Sequence, residues 1–482
     1  MFRSRADARI LAAGSLTPPG PPGPAFSVLS YGADSTGGTD ARTAIGSAAT
    51  AAIASGGHVY FPAGTYKLSG LLALSAGAYY YAPSGVNLLQ YGAIDAANDS
   101  TWDGGDFKCY GTSIGYRFGT VTNSVHGATL QHASFSGGST TDYSWARIQQ
   151  RRGYGNTIHG NTCTSVNTGT AGIGQNIQLL GGHDTTITDN TTVGGITGII
   201  HLWTKQHAGS GADSCSNDNI ITGNTCSGMR EEGISLDCQM NSADTNSFEY
   251  TSVGSVSGQD VTLTEYGSAY QDYTAYDLCF MTGALAGKTR TITGQSGAKN
   301  HVFTVTGDLT GLAAGDTLVV GAPYKNVTVA HNNVWNTTGY VTYLLFGLCY
   351  GCVVEYNESS YGKVDIRAID SLAKATGQVC GNYGRAPNGY NTIRYNTMSD
   401  SPGSWGVASF YYNYTTNASA SGYSAFQSKG HNIYGNTAEY VYAAQSDFYK
   451  SANVKPGGGD STYTDGGGNT VEASAFTYDG GG

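Results

Sequence analysis

Apolar and polar residues alternate in short bursts along most of this chain, and the bursts recur as a unit. Between Asp184 and Cys238 the unit appears twice, as DTTITDNTTVGGITGIIHLW and NIITGNTCSGMREEGISLDC. Each copy gives an alternating run, an Asn-Thr pair (Asn190-Thr191, Asn224-Thr225), a Gly-rich turn, and a second apolar run entered through Gly198 or Gly233. Period-two alternation predicts strands with one face inward. Aligned on the Asn, the pattern returns at Asn161, Asn190, Asn224, Asn332, Asn357, Asn396 and Asn436, with spacings of 29, 34, 108, 25, 39 and 40 residues. Asn tolerates left-handed backbone angles, and its amide bonds to neighbouring backbone. In adjacent coils such residues would stack as a ladder at the strand spacing of about 4.8 Å. The expectation is an irregular solenoid whose variable loops project from one flank and build a binding cleft there.

The spacing of 108 marks an insertion. Residues 246–325 carry short alternating strands (VTLTEY, KTRTITG, HVFTVTG, DTLVVG) between Gly-rich turns and are read as a small inserted β domain that walls the cleft. Residues 1–25 end in PPGPPGPA and read as a leader or extended linker. Residues 26–245 hold the first coils and residues 326–450 the later ones. Residues 451–482 form a Gly-rich tail.

Composition changes this picture little. Of 482 residues 71 are Gly, 35 Tyr and 12% charged, which fits a turn-rich all-β protein rather than a disordered or collagenous one. A net charge of −10 gives no electrostatic reason to bind nucleic acid or an anionic membrane. No segment is long and apolar enough to span a membrane, and the first residues lack the apolar core of a signal peptide. Nine cysteines cannot all pair within one chain, and Cys349 and Cys352 form a lone C-x-x-C. Buried free thiols and assembly in a reducing cytosol are expected.

The segment from Phe26 has its own signature. Tyr31-Gly32-Ala33-Asp34, Thr39-Asp40, an Ala-rich helix starting near Thr39 or Asp40, Gly56-Gly57 and Phe61-Pro62-Ala63-Gly64-Thr65-Tyr66 follow in order. This block resembles the N-terminal module of the pectate-lyase-like superfamily of right-handed, single-stranded parallel β-helices, where the helix plugs the open end of the solenoid. Within that superfamily the chain looks most like bacteriophage tailspikes and capsule depolymerases. The polygalacturonase motif set, the Asp-Pro-His-Glu of alginate epimerases and calcium-binding nonapeptides are missing, whereas tailspikes share the fold without a common catalytic motif. The resemblance implies a depolymerase that binds and cleaves a bacterial surface polysaccharide with paired carboxylates. It further implies a homotrimer on a virion tail, joined to a tail or baseplate protein through the leader, with secretion as the other location. It implies no metal and no cofactor.

Counting from the Asn anchors places candidate chemistry. Asp237 and Asp370 both lie thirteen residues past an anchor, about two rungs apart, a separation suited to an attacking water. Glu231 and Glu232 enter the coil of Asp237 and are candidates for the acid. His201, Trp203 and Lys205 alternate along one strand and would share a face, with Arg230, Arg367 and Tyr412 as further sugar contacts. A lyase reading stays open: His201, Lys205 or a Tyr would act as base, and Arg230 or Arg367 would neutralise a uronate. A non-catalytic receptor-binding fibre is the third reading.

Overall fold

The computed structural model describes residues 21–110, 114–137, 146–165, 174–202, 213, 215–237, 248–264, 273–297, 301–335, 337, 341–346, 348–360, 364–372, 385–386, 388–399 and 405–411, together with short strands between 428 and 471. The opening block folds as a cap. Helix α1 (Arg42–Ala54) turns Ala44, Ile45, Ala48, Ala49 and Ala52 inward. It begins two residues later than expected, because Thr39 and Asp40 still belong to a strand, Thr36–Asp40. Asp40 nevertheless serves the helix end, binding the Arg42 guanidinium at 2.7 Å and its backbone N–H at 3.3 Å. The Asp34 carboxylate accepts from the Thr36 hydroxyl at 2.6 Å and from the backbone N–H groups of Thr36 and Thr39 at 2.8 Å each. Those bonds, the Thr36 hydroxyl foremost, hold its carboxyl far below the usual range.

Beyond the cap the chain winds as a parallel β-helix. Each coil contributes two short strands to a 25-stranded sheet and one strand to a 13-stranded sheet. Ile158, Ile187, Ile221, Val329, Val354 and Ile393 pair in register from coil to coil, and all are buried in the core. At the turn between the paired strands the anchors stack as a continuous amide ladder. The side-chain oxygen of Asn224 accepts from the backbone N–H of Asn190 at 2.9 Å and from its Nδ2 at 3.0 Å, and the oxygen of Asn332 does the same for Asn224. The pattern runs without a break from Asn161 to Asn436. The seven cysteines among the described residues are all buried. Cys349 and Cys352 are engaged separately, donating to the carbonyls of Leu236 and Tyr324.

The insertion is a closed six-stranded barrel running from Phe248 to Gly321. It includes strands in all four alternating segments noted in the sequence. Tyr324–Lys325 is already a rung of the solenoid, paired with Ser216–Asn217 and Cys349–Tyr350. The barrel docks on this small ladder. Lys325 reaches the Asp277 carboxylate at 2.6 Å, the Tyr390 hydroxyl donates to the Met281 carbonyl at 2.7 Å, and the Tyr350 hydroxyl donates to the Phe280 carbonyl.

Candidate functional site

The Gly-rich turn of one coil and the start of strand Glu232–Asp237 in the next build an acidic corner. Gly194 and Gly195 take left-handed φ values of 66° and 86°, and a Cβ on Gly195 would sit 2.2 Å from the Gly174 carbonyl oxygen. Only glycine fits that corner. The next coil zips onto it: the N–H groups of Arg230 and Glu231 donate to the carbonyls of Gly195 and Ile196, both at 2.9 Å, and Gly198 N–H donates to the Glu232 carbonyl. Met229 plugs the interior behind the turn. Arg230, Glu231 and Glu232 are thereby fixed side by side on the outer rim.

Their carboxyls sit in different surroundings. The Arg230 guanidinium lies 2.7 Å from Glu231 Oε1, and both side chains remain partly open to solvent. Glu232 is partly buried, its nearest polar partner being the Thr197 hydroxyl at 3.4 Å from Oε2. Burial, reinforced by the neighbouring Glu231 charge, pushes Glu232 up to about 7. A carboxyl that keeps its proton near neutral pH, beside a second one paired with a guanidinium, sets a proton donor next to a negative group.

The other sequence candidates separate from this corner. His201 does not reach the surface: it is fully buried, its Nε2 accepts from the Asn219 amide at 2.9 Å, and its ring stands edge-on to Tyr324. Burial holds it near pKa 3, neutral, so the expected sugar-facing base is corrected to a core residue. Asp237 is only 6% exposed, and its carbonyl accepts from the Tyr324 hydroxyl. Five residues of strand put it about 16 Å from Glu232, too far to work with that acid on one bond.

The equivalence of Asp237 and Asp370 also fails. Asp237 pairs with Phe346, and Phe346 with Ile369, so Asp370 falls one position out of register. Arg367 pairs with Leu344. Trp203, Lys205 and Tyr412 lie outside the described residues. Tyr324, just past the barrel, bonds the Asp237 carbonyl at the end of the strand away from the glutamates. Among the described residues no group of three or more His, Cys, Asp or Glu is placed to hold a metal ion.

Two features went unread in the sequence. Strand Asn333–Trp335 lies beside Thr225–Ser227, and Trp335 pairs with Ser227, four residues before Glu231. Val334 points into the core, so alternation leaves Trp335 outward and 43% exposed. The residues just before three Asn anchors, His331, Tyr356 and Tyr395, form an outer column with centroids 5.2 and 5.1 Å apart and nearly parallel rings. All three carry left-handed φ near 55°, a conformation that costs a ring-bearing residue roughly 1–2 kcal/mol and is met with glycine at Gly160 and Gly223. The signal was present: H, Y and Y precede N in VTVAHNN, CVVEYNE and NTIRYNT.

Known proteins resemble the chain in two ways. A family described as rhamnogalacturonase A/epimerase, pectate lyase-like, matches residues 25–81. No curated protein matches. Among solved structures, the Dettilon tailspike protein aligns at 15% identity over 91% of this chain and 68% of its own, with a TM-score of 0.46. A mutant tailspike of E. coli bacteriophage HK620, solved with a pentasaccharide, aligns at 10% identity over 91% and 78%, with a TM-score of 0.49. PfbA, a surface adhesin of Streptococcus pneumoniae, aligns at 12% identity over 89% and 83%, with a TM-score of 0.45. Residues 25–81 are thus similar to a pectate lyase-like family of the rhamnogalacturonase A/epimerase description, and the chain beyond them winds on as a parallel β-helix.

Proposed function

We propose that this protein is a polysaccharide depolymerase that cleaves a bacterial surface polysaccharide by glycoside hydrolysis at the Arg230–Glu231–Glu232 corner. The observation that carries the reading is a pair of adjacent carboxyls on a partly open rim, one 2.7 Å from the Arg230 guanidinium and the other raised to about 7 by burial. Glu232 protonates the departing glycosidic oxygen; Glu231, held by Arg230, faces the positive charge that develops on the sugar or activates the attacking water. Trp335 and the His331–Tyr356–Tyr395 column border the same face and offer aromatic surface and ring-edge polar groups to the polymer.

The elimination reading needs a base, and His201, sealed and hydrogen-bonded, does not supply one. Products separate the readings when the protein is incubated with capsule or lipopolysaccharide preparations. New reducing ends without ultraviolet absorbance are expected; unsaturated uronates would turn the assignment to a lyase, and binding without products to a fibre. Replacing Trp335 with Ala should weaken polymer binding about 30-fold, ~2 kcal/mol, read as a raised KM. A homotrimer on a virion tail completes the proposal on the strength of the resemblance alone; a monomer by sedimentation would remove that part.

A further inference from the structure

A second polar site lies among the first coils. Strand Tyr79–Gln90 slips register against Thr101–Cys109 between Ala82 and Asn87, and Gly104 and Gly105 pass the slip with φ of 85° and 86°. A Cβ on Gly104 would meet the Ala82 carbonyl oxygen at 2.1 Å, so the irregularity is built on glycine. It opens a cavity of about 490 Å³, within the range of small-molecule sites.

The cavity is lined by the apolar surfaces of Tyr81 and Pro83 and by the polar groups of Asp103, Asp106 and His132. Asp103 accepts from the Tyr79 hydroxyl at 2.7 Å and lies 2.8 Å from His132 Nδ1, which fixes the proton on Nδ1 and leaves Nε2 free of that bond. His132 itself sits at φ 53°, and its ring lies over Gly160, where any Cβ would come within 3.0 Å of it. Asp106 is partly buried, and its carboxylate has no hydrogen-bond or ion-pair partner among the described residues. A carboxylate that lines a cavity without a protein partner is open to a donor or a cation brought by a ligand.

We infer that this cavity binds one amino-sugar residue. A pyranose has an apolar face to set against Tyr81 and a rim of hydroxyls for Asp103 and His132. An ammonium group would complete Asp106 with a charge-assisted bond. Two carboxylates in one cavity disfavour a uronate by like-charge repulsion. The inference deepens the polysaccharide reading, on which its biological sense rests, by naming a sugar class. The site is distinct, four rungs or about 19 Å along the axis from the coil of Glu232.

The test titrates the full-length protein with glucosamine, glucose and glucuronate near pH 6.5, by calorimetry and ligand-observed NMR. Glucosamine should bind in the millimolar range, glucose more weakly and glucuronate not at all. Asp106→Asn should lose about tenfold in glucosamine affinity with an unchanged melting temperature. Glu232→Gln should bind glucosamine like the wild type, so failure of the hydrolase reading leaves this one standing and the reverse is equally visible. Equal binding of glucuronate and glucosamine, full glucosamine affinity in Asp106→Asn, or a response to calcium but to none of the sugars would overturn it.

Discussion

Glu232→Gln should lower kcat/KM on the polysaccharide by about 10²- to 10⁴-fold, the usual worth of a positioned proton donor. Wild-type activity should fall as pH rises through about 7, where Glu232 gives up its proton. The same residue predicts a stability change that does not depend on activity. Its folded value of about 7 stands above the ordinary 4.5, so the fold favours the protonated form. That contribution is intact below about pH 4.5 and is lost as pH rises through 7. Gln is neutral throughout, so the melting temperature of the variant should gain on the wild type above pH 7. A flat activity profile from pH 5 to 9 together with no such gain would sink the assignment of Glu232 as acid.

The second large effect is expected at the ladder. Asn224 Nδ2 donates to the carbonyls of Ile187 and Thr222 and to Asn332 Oδ1, while its own oxygen serves both the backbone and the side chain of Asn190. Asn224→Ala strands several of these groups in the core and should cost about 4 kcal/mol, read by denaturant unfolding. Asn224→Asp, nearly the same shape, should be no milder, because its second oxygen would face Asn332 Oδ1 and two backbone carbonyls, all acceptors, where a donor stood. A loss below about 1 kcal/mol in both variants would contradict the ladder's structural role.

The fold was legible because its signals are local. Glycine at a forced turn, Asn before a strand and alternation within three residues survive any loop length. The candidates now proposed as the site, Glu231 and Glu232, follow directly from such a signal, standing just past a Gly turn. Asp237 and Asp370 were matched by counting across the corner, and the corners differ in length. The paired residues Ile234, Tyr343 and Ile366 stand ten, eleven and nine residues past their anchors. In a strand one residue of slip reverses the face, so counting from the Asn could not bring two side chains together. His201 misled for a related reason: an alternating H-L-W reads the same whichever face is inward, and the Tyr324 ring that seals it arrives from beyond a 74-residue barrel.

The amide ladder has a direction. From Asn161 through Asn396 every anchor donates its backbone N–H to the side-chain oxygen of the following anchor, and its amide Nδ2 both to that oxygen and back to a carbonyl of the preceding coil. A chain that emerges N-terminus first therefore always ends, at its newest coil, in an open pair of donors that only the next coil can close. Winding is vectorial, each finished turn acting as template for the one not yet made, and the 74-residue barrel has to be looped out at its rung before the template can advance.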